Sequence, residues 1–536
     1  MCGSQKTNMI ELSKSFHSWV PEWLIRLILF SCLMPSMMLF FLPGINSNAT
    51  AGYYGCQPND AQFLIVLFYA GFVGFYILER RFFLFFPIKT YYILFHGLQI
   101  LNCILMYCIT DINWVFPLRF IQGMLFASAV NLSMSMIFSR IESSRAKVTS
   151  YSVFFGLLLV SSPFNNLVFA SFLDDINFKQ LYAFSGFSFL PGLFMIVLFM
   201  KNFRHVRPYP LYSLDWPSFI FYGGIFISIG YMAVYGQERY WFSDEQIRLC
   251  LLVILLFFFL FKFRQKHLKR MYIKLDVFKS RRFWMGILVL YIMYIERFSI
   301  QLSNQHFSTI FGLDPEHLSY LSIFDIAGII IGVSLAGIWT LKNVPVKYIW
   351  ITGFTFLFLF HYLMFFRFEN TGNETLYWTP LIAHGIGTGL IMVPAILFVI
   401  STVKEIYSIS AAAICLAVRF LGFTSSIAII NYFELGHKSK HFQVFRDHLT
   451  ADNPVIRQEL RSRAYMLAEK GLMTNPDKAG IKTFYQEVMK QAQIRTGMDY
   501  YEYMMILSVL MILIILLFPA MKNRYEKWRE VKVSPV

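Results

Sequence analysis

Two carboxylic acids lie inside long apolar stretches of this 536-residue chain. Glu296 stands in the segment YIMYIERFSIQLSNQ, and Asp325 stands in LSIFDIAGIIIG. Ionisable side chains inside membrane-spanning helices cost about 2.5–3.5 kcal/mol on insertion scales, and they typically belong to ion pathways or proton relays. Both acids are therefore candidate proton carriers. The alternative for each is structural: a local ion pair for Glu296, and a bond to a facing hydroxyl group for Asp325.

Basic and polar side chains in other apolar stretches form a second group of candidates. Arg119 and Gln122 are three residues apart and share one face of a helix. A buried arginine such as Arg119 or Arg419 either serves a functional site or is tied to neighbouring structure. His384 could take up and release a proton, whereas a lone histidine in a helix more often bonds to an adjacent helix.

The sequence contains none of the motifs that would indicate an enzyme, such as H-E-x-x-H, G-x-S-x-G or a Walker sequence. Gly385, Gly387 and Gly389 have the spacing of part of a dinucleotide-binding motif, but no strand precedes them. They predict instead a small helix face for close packing. The seven cysteines include no C-x-x-C pair. We therefore expect neither a cofactor nor a metal site.

The composition is that of a membrane protein. Hydrophobic residues make up 57% of the chain and charged residues only 15%, whereas about a quarter of the residues of soluble domains are charged. The net charge of +16 comes from Lys and Arg in short clusters between apolar stretches. Such clusters are typical of membrane loops, and no basic stripe that would bind nucleic acid is visible.

A helix needs about 20 apolar residues to cross the hydrocarbon of a bilayer. Windows of that length predict fourteen spans, numbered 1 to 14: 22–44, 62–80, 90–110, 115–138, 149–173, 181–200, 214–236, 246–263, 283–302, 318–341, 347–366, 377–403, 408–434 and 501–521. The chain is thus predicted to be an all-α, polytopic protein of the lipid bilayer.

Lys and Arg are concentrated in the loops that follow the even-numbered spans, above all in residues 262–282. Such an excess marks the cytoplasmic side of a membrane. Both termini are therefore predicted to be cytoplasmic, and the basic C-terminal tail KNRYEKWREVK agrees with this orientation.

Residues 436–499, between spans 13 and 14, are polar and of mixed charge. The stretches NPVIRQELRSRAYMLAEK and KAGIKTFYQEVMKQAQIR carry apolar residues at helical spacing. They predict an extracytoplasmic helical hairpin, with Asn453 or Asp452 as the N-cap of its first helix.

Short motifs follow one another along nearly the whole chain: FLPGINSN (41–48), NDAQFLIVLFYAG (59–71), LRFIQGMLFASA (118–129), Ser162-Pro163, Pro191-Gly192, LDWPSFIFYGG (214–224), YWFSD (240–244), KLDVFKSRRF (274–283), HGIGTGLIMVP (384–394), AVRFLGF (417–423) and VMKQAQIRTGMDYYEYM (488–504). In this order they resemble the motifs of the fourteen-helix drug:proton antiporters, the EmrB/QacA-type branch of the major facilitator superfamily. In that comparison LRFIQGMLFASA matches an Arg-x-x-Gln-Gly motif, and Ser162-Pro163 falls at a Gly-Pro-x-x-Gly-Gly motif.

The resemblance implies a major facilitator fold, in which two six-helix bundles (spans 1–6 and 9–14) rock around a central cavity and spans 7 and 8 form an extra pair. It places Arg119 and Gln122 beside that cavity, and it matches Pro163, His384 and Arg419 to motif positions. The predicted divisions are an N-terminal bundle 1–200, an inserted pair with a basic loop 201–280, spans 9–13 in 281–435, the extracytoplasmic loop 436–499, and span 14 with its tail in 500–536.

The function that the resemblance implies is export of amphipathic small molecules, driven by protons, through a bacterial inner membrane. Residues 436–499 would then dock a periplasmic adaptor protein of the EmrA type. Two alternatives keep the same fold. One is a facilitator or importer of another solute, and the other is a membrane scaffold that transports nothing.

The chain departs from the family at positions that are tied to proton antiport. Span 1 lacks the family's Asp, and Asn165-Asn166 replace a Gly-Gly pair in span 5. The loop after span 2 keeps Glu79 without the family's spacing of charges. Glu296 and Asp325 are then the only acids predicted deep in the membrane, and Asp325 would replace the missing acid of span 1.

Overall fold

The computed structural model describes residues 15–140, 146–169, 178–202, 211, 214–268, 271–450, 453–469 and 475–518. Within these residues the secondary structure is helical, apart from an isolated β-bridge between Phe16 and Met200. Two predictions fall outside them, namely the cap Asp452 and the basic tail beyond span 14.

Fourteen helices of the described chain are long and apolar enough to cross a membrane. We number them α1 Glu22–Gly44, α2 Pro58–Phe85, α3 Ile88–Cys108, α4 Ile112–Arg140, α5 Ala146–Phe169, α6 Phe178–Phe199, α7 Trp216–Tyr235, α8 Glu245–His267, α9 Arg281–Thr309, α10 Pro315–Leu341, α11 Val346–Arg367, α12 Thr375–Ser401, α13 Ser408–His448 and α14 Pro476–Leu517. Each coincides with one predicted span, so the all-α fold class with fourteen spans is confirmed.

Helices α1–α6 and α9–α14 form two bundles. The bundles meet where α5 packs against α10 and where α2 packs against α13. Helix α7 packs against α2 and α13, whereas α8 packs mainly against α7 and exposes most of its apolar side chains. The α7–α8 pair is therefore peripheral to the two six-helix halves.

Helices α13 and α14 extend well beyond the length that a bilayer requires. The 42 residues of α14 make a helix about 63 Å long, which is about twice the thickness of the hydrocarbon. Its N-terminal part packs against the helix Pro454–Glu469. That helix follows Asn453, whose side chain accepts a hydrogen bond from the Val455 amide at 3.0 Å. The segment 436–499 thus contains the predicted helical hairpin, and Asn453 caps it.

Glycines allow backbone-to-backbone packing inside each half. A Cβ atom on Gly123 of α4 would lie 1.9 Å from the carbonyl oxygen of Phe68 of α2. A Cβ atom on Gly385 of α12 would lie 2.3 Å from the carbonyl oxygen of Asp325 of α10. Real Cβ atoms do not approach other atoms so closely. The predicted role of the small face of α12 in close helix contact is therefore confirmed.

The first helix of each half departs from regular α-helical hydrogen bonding, at its end in α1 and in its middle in α9. Helix α1 ends in a 3-10 turn that contains Pro43, and a proline has no amide hydrogen for the carbonyl of Leu39. Helix α9 is interrupted after Arg297. The amide of Gln301 would bond to the carbonyl of Arg297 in a regular helix, but it bonds to the carbonyl of Phe298 at 3.0 Å. Both breaks leave a backbone carbonyl free to accept a hydrogen bond from a side chain.

Candidate functional site

A cavity lies between the two halves, and its space, including the open mouth, is about 720 Å³. Helices α1, α2 and α5 of one half and α9, α10 and α12 of the other contribute its wall. The polar side chains of the wall are Ser162, Asn166, Arg297, Gln301, Asn304, Ser322, Asp325, His384 and Thr388. Three sequence candidates therefore meet at this cavity, namely Asp325, His384 and Pro163.

Asp325 and His384 are bonded to each other in the cavity wall. The Nδ1 atom of His384 lies 2.8 Å from Oδ1 of Asp325, and its Nε2 atom lies 2.9 Å from the carbonyl oxygen of Arg297. Both side chains are buried. His384 of α12 thus bonds both to α10 and to the carbonyl that the break in α9 leaves free.

These partners determine where the protons of the pair lie. A carbonyl oxygen only accepts hydrogen bonds, so Nε2 of His384 carries a hydrogen. Nδ1 and the Asp325 carboxyl group must then share one proton, because two facing lone pairs would repel each other. The pair is either imidazolium with carboxylate or imidazole with carboxylic acid, and its net charge is zero in both forms. With one proton fewer, the imidazole of His384 has a single N–H for two acceptors, so it can bond either to Asp325 or to the carbonyl of Arg297, but not to both.

Arg297 connects this pair to the opposite half. Its Nη2 atom donates a hydrogen bond to the carbonyl oxygen of Leu159 on α5 at 3.4 Å. That carbonyl is free because the residue one turn later is Pro163, which has no amide hydrogen. Pro163 therefore supplies the acceptor on α5, while the backbone of Arg297 holds His384.

Arg119 and Gln122 lie inside the N-terminal half and do not border this cavity. The guanidinium of Arg119 is fully buried and donates to the carbonyl oxygens of Leu39 at 3.0 Å, Phe40 at 3.0 Å and Leu64 at 3.3 Å. It also donates to Oε1 of Gln122 at 2.5 Å. This is the structural alternative for Arg119, since its side chain ties α4 to α2 and to the broken end of α1.

The two halves use equivalent helices for these arrangements. Arg119 lies on the fourth helix of the N-terminal half and bonds to carbonyls at the break in the first helix. His384 lies on the fourth helix of the C-terminal half and bonds to the carbonyl at the break in the first helix there. Internal repeats of this kind are typical of folds built from two similar halves.

Solved structures with the same architecture cover almost the whole chain. Over 96% of its length the chain is similar to a bacterial homologue of the human lysosomal transporter Spinster in an inward-facing, unoccupied conformation, with 100% of that chain covered, a TM-score of 0.51 and 11% identity. Over 95% it is similar to the peptide transporter POT in complex with sulfate, with 98% of that chain covered, a TM-score of 0.53 and 13% identity. For a POT family transporter in complex with a thioalcohol-conjugated peptide, the chain is again covered over 95%, with 99% of that chain covered, a TM-score of 0.58 and 12% identity. No family model and no curated protein matches the sequence.

The chain has the major facilitator fold. Within this fold the two equivalent arrangements differ in one chemical respect. The α2 partner of Arg119 is the backbone carbonyl of Leu64, whereas the α10 partner of His384 is the side chain of Asp325. Helices α2 and α10 are both the second helix of their half. Of these two arrangements, the one built from a histidine and a carboxylic acid lies in the C-terminal half, at the cavity.

Glu296 lies inside the C-terminal half and outside the cavity wall. Its Oε2 atom accepts a hydrogen bond from Ser508 of α14 at 2.9 Å and lies 3.8 Å from Nε2 of His361 of α11. Its Oε1 atom and both ring nitrogens of His361 have no hydrogen-bond partner within the described chain, although both side chains are fully buried. Of the two predicted acids, only Asp325 can therefore meet a solute in this cavity.

Arg419 borders a second cavity of about 490 Å³, which also lies between the halves. Side chains of α2, α4, α5, α12 and α13 form its wall, and most of them are aromatic or aliphatic. The Nε atom of Arg419 donates to the hydroxyl oxygen of Tyr294 at 2.8 Å, and its guanidinium lies over the ring of Phe155. Arg419 thus places a charge in a largely apolar space.

Aromatic rings separate the two cavities. Phe298 borders the first cavity, and its ring centre lies 4.7 Å from that of Phe423. Phe423 packs against Tyr69 of the opposite half at 5.7 Å, and Tyr69 stacks at 6.3 Å on Phe72, which borders the second cavity. This chain of ring contacts therefore runs from the wall of one cavity to the wall of the other.

The sequence-based candidates omit a third buried acid. Helix α2 continues to Phe85 rather than ending near residue 80, and Glu79 is fully buried within it. Its carboxylate accepts hydrogen bonds from the hydroxyl of Tyr91 and the amide of Asn131. Glu79 is therefore a buried acid of the described chain in addition to Glu296 and Asp325. The apolar run FFLFF directly after the charged residues is the signal that extends the helix.

Proposed function

We propose that this chain is a secondary active transporter that exports amphipathic small molecules in exchange for protons, and that its cargo binds in the cavity between the halves. The Asp325–His384 pair carries the proposal, because it places one shared proton in the wall of a cavity that both halves enclose. The fold shared with the Spinster homologue and the POT transporters supports transport as the activity.

Proton coupling requires a group whose protonation changes the preference between two conformations. Loss of the shared proton would leave His384 one N–H for two acceptors, so it would lose either its bond to Asp325, which joins α12 to α10, or its bond to α9. His384 also holds the carbonyl of Arg297, and the side chain of Arg297 reaches Leu159 in the other half. The protonation of Asp325 would thus act on a contact that must open and close when the halves rock.

The first cavity suits a cargo with a polar and an apolar part. It offers the guanidinium of Arg297 and the carboxyl group of Asp325 beside the apolar side chains of Phe41, Ile65 and Phe298. Binding sites for small molecules combine apolar walls with a few placed polar groups in this way. This chemistry supports an amphipathic cargo whose polar end binds near Arg297 and Asp325.

A second candidate is proton-driven import of a small zwitterionic solute. The guanidinium of Arg297 and the carboxyl group of Asp325 border one cavity, and these two groups would suit a molecule with both a carboxylate and an ammonium group. The POT structures are described as peptide transporters, and a short peptide has these two groups. In this case the cargo and the proton would move in the same direction.

The test uses the purified chain in proteoliposomes with a pH gradient of either direction. An antiporter accumulates ethidium in vesicles whose lumen is the more acidic side, whatever the orientation of the protein. A symporter accumulates labelled dialanine in vesicles whose lumen is the more alkaline side. We expect ethidium accumulation with an acidic lumen. Accumulation of dialanine alone would favour import, and no gradient-driven movement of either probe would contradict both candidates.

Asp325→Asn tests the role of the pair within the same assay. We expect this variant to lose accumulation driven by the gradient and to keep exchange of cargo down its own gradient. Glu316→Gln is the matched control, because Glu316 is an exposed acid of the same helix. Gradient-driven accumulation by Asp325→Asn at the rate of Glu316→Gln would contradict the assignment of Asp325.

We also propose that residues 436–499 dock a periplasmic adaptor protein of the EmrA type. Large apolar side chains of this segment are exposed, among them Val455, Tyr465, Met466, Ile481 and Tyr485, and exposed apolar patches often bind partner proteins. Removal of Pro454–Glu469 should leave transport in proteoliposomes unchanged and abolish export from cells. An equal loss in both assays would show that the hairpin serves the transporter itself.

A further inference from the structure

Two histidines and an aspartate meet at the base of the hairpin, outside the cavities described above. His437 and His441 are one turn apart on α13, and Asp499 faces them from α14. Nε2 of His441 lies 2.7 Å from Oδ2 of Asp499, and Nδ1 of His437 lies 3.6 Å from the same oxygen. Within the described chain, this is the one group of three potential metal ligands whose donor atoms all lie within 4.8 Å of one another.

We propose that His437, His441 and Asp499 bind one zinc ion. Zinc binds imidazole nitrogen and carboxylate oxygen at about 2.0–2.2 Å in a tetrahedral arrangement, so neighbouring ligand atoms lie about 3.3 Å apart. The separations of the two histidine nitrogens from Oδ2 of Asp499 lie on either side of that value. A rotation of the His441 side chain that lengthens the shorter separation by about half an ångström would bring it close to the value for zinc.

One carboxylate oxygen of Asp499, Oδ2, has no basic side chain other than the two histidines beside it in the described chain. Oδ2 faces the two histidines, whereas Oδ1 lies 3.9 Å from Nε of Arg495. Lys438 follows His437 in the chain, but its Nζ atom donates to Oε1 of Gln493 at 3.4 Å. At 3.9 Å, Arg495 forms an ion pair with Oδ1 and leaves Oδ2 to the histidines.

A rare type of helical turn ends at the first of the two histidines. Residues Phe433–His437 form a π-helical turn, and such turns often occur at functional sites. The ring of Phe433 stacks on that of His437 with the ring centres 4.5 Å apart, which restrains the imidazole. The three ligand side chains are 18–21% exposed, so an ion can reach them from solvent.

A bound ion would join α13 to α14 where the hairpin begins. Three protein ligands leave one coordination position of zinc for water or another ligand. Because the ion binds only the folded junction, it would stabilise that junction. Sequence analysis predicts no metal site, since Asp499 is 58 residues from His441 and motif spacing does not reveal the pair.

The test measures zinc bound to the full chain in detergent, purified without a polyhistidine tag. After metal loading and desalting, we expect one equivalent of zinc by atomic emission. Cobalt should give the absorption bands of a tetrahedral site, and zinc should displace it. His441→Ala and Asp499→Asn should each weaken zinc binding at least tenfold. His448→Ala is the control, because His448 lies on the same helix and bonds to the carbonyl of Val444.

Melting curves with and without zinc separate loss of zinc binding from poor folding, because each variant is compared with itself. Zinc should raise the melting temperature of the unmodified chain and of His448→Ala, and it should leave that of Asp499→Asn unchanged. Zinc content of the unmodified chain below one equivalent would overturn the proposal. Equal zinc content in the unmodified chain and in the double variant His437→Ala/His441→Ala would overturn it as well.

Discussion

The guanidinium of Arg297 donates a hydrogen bond across the two halves of the fold to the carbonyl oxygen of Leu159, at 3.4 Å. The acceptor exists because Pro163 cannot donate an amide hydrogen to it. The same arrangement occurs at α1, where Pro43 has no amide hydrogen for the carbonyl of Leu39, and Arg119 donates a hydrogen bond to that carbonyl. In each case a proline provides a buried acceptor for an arginine on another helix.

Restoring the amide of residue 163 should therefore weaken the contact between the halves. In Pro163→Ala the new amide would compete with Arg297 for the Leu159 carbonyl, while α5 itself gains up to about 3 kcal/mol of helix stability. We expect a higher melting temperature together with a severalfold lower transport rate in proteoliposomes.

Pro117→Ala is the control for this variant, because Pro117 also lies inside a helix but does not border the cavity. It should change transport little. A rate for Pro163→Ala equal to that of the unmodified chain would show that the Arg297–Leu159 contact does not limit the transport cycle.

Arg119 should be required for stability rather than for the recognition of cargo. Arg119→Ala leaves the carbonyls of Leu39, Phe40 and Leu64 without their charged donor, and we expect a loss of about 3 kcal/mol or more. Arg119→Lys can satisfy only part of this set, because an ammonium lacks the planar fork of a guanidinium. Melting temperatures in detergent should fall in the order unmodified chain, Lys, Ala. An altered cargo KM with an unchanged melting temperature would place Arg119 at the transport site instead.

The number and order of the spanning helices could be predicted from the sequence, because each span requires about 20 apolar residues wherever it lies. The partners of the buried charges could not. Asp325 and His384 are 59 residues apart in the chain, and His384 and Arg297 are 87 apart. Their pairing depends on the close approach of α10 and α12 at Gly385 and on the break in α9.

The resemblance to antiporter motifs indicates individual residues, but it does not indicate their partners. It points to Arg119, which donates to the carbonyl of Leu39, and to Pro163, which leaves the Leu159 carbonyl free for Arg297. It does not predict that Arg119 would bind backbone carbonyls, because a motif contains the donor but not the acceptor. Glu79 shows the same difficulty, since a motif that belongs to a loop in the family lies here inside α2.

Glu79 offers a buried carboxylate whose hydrogen-bond requirement can be tested directly. It accepts from Tyr91 through one oxygen and from Asn131 through the other. In Glu79→Gln the amide oxygen can still accept from Asn131, and the amide nitrogen can donate to the hydroxyl oxygen of Tyr91, because a hydroxyl group both donates and accepts. Tyr91→Phe would then remove a hydrogen bond between neutral groups instead of the stronger bond to a carboxylate. The double variant should therefore be less destabilised than the sum of the single variants. Additive shifts of the melting temperature would contradict the bonding described for Glu79.

The contact between α2 and α4 should tolerate no added methyl group at Gly123. A Cβ atom there would lie 1.9 Å from the backbone carbonyl oxygen of Phe68, so the two helices must move apart. Overpacking of this kind costs about 1–3 kcal/mol or more, and the displacement would also strain the bond of Arg119 to the carbonyl of Leu64. Gly97→Ala is the matched control, because Gly97 lies inside α3 and has no atom within 4 Å of an added Cβ. Alanine favours a helix over glycine by about 1 kcal/mol, so Gly97→Ala should keep or raise the melting temperature while Gly123→Ala lowers it. Equal melting temperatures for the two variants would mean that α2 and α4 do not approach as closely as described.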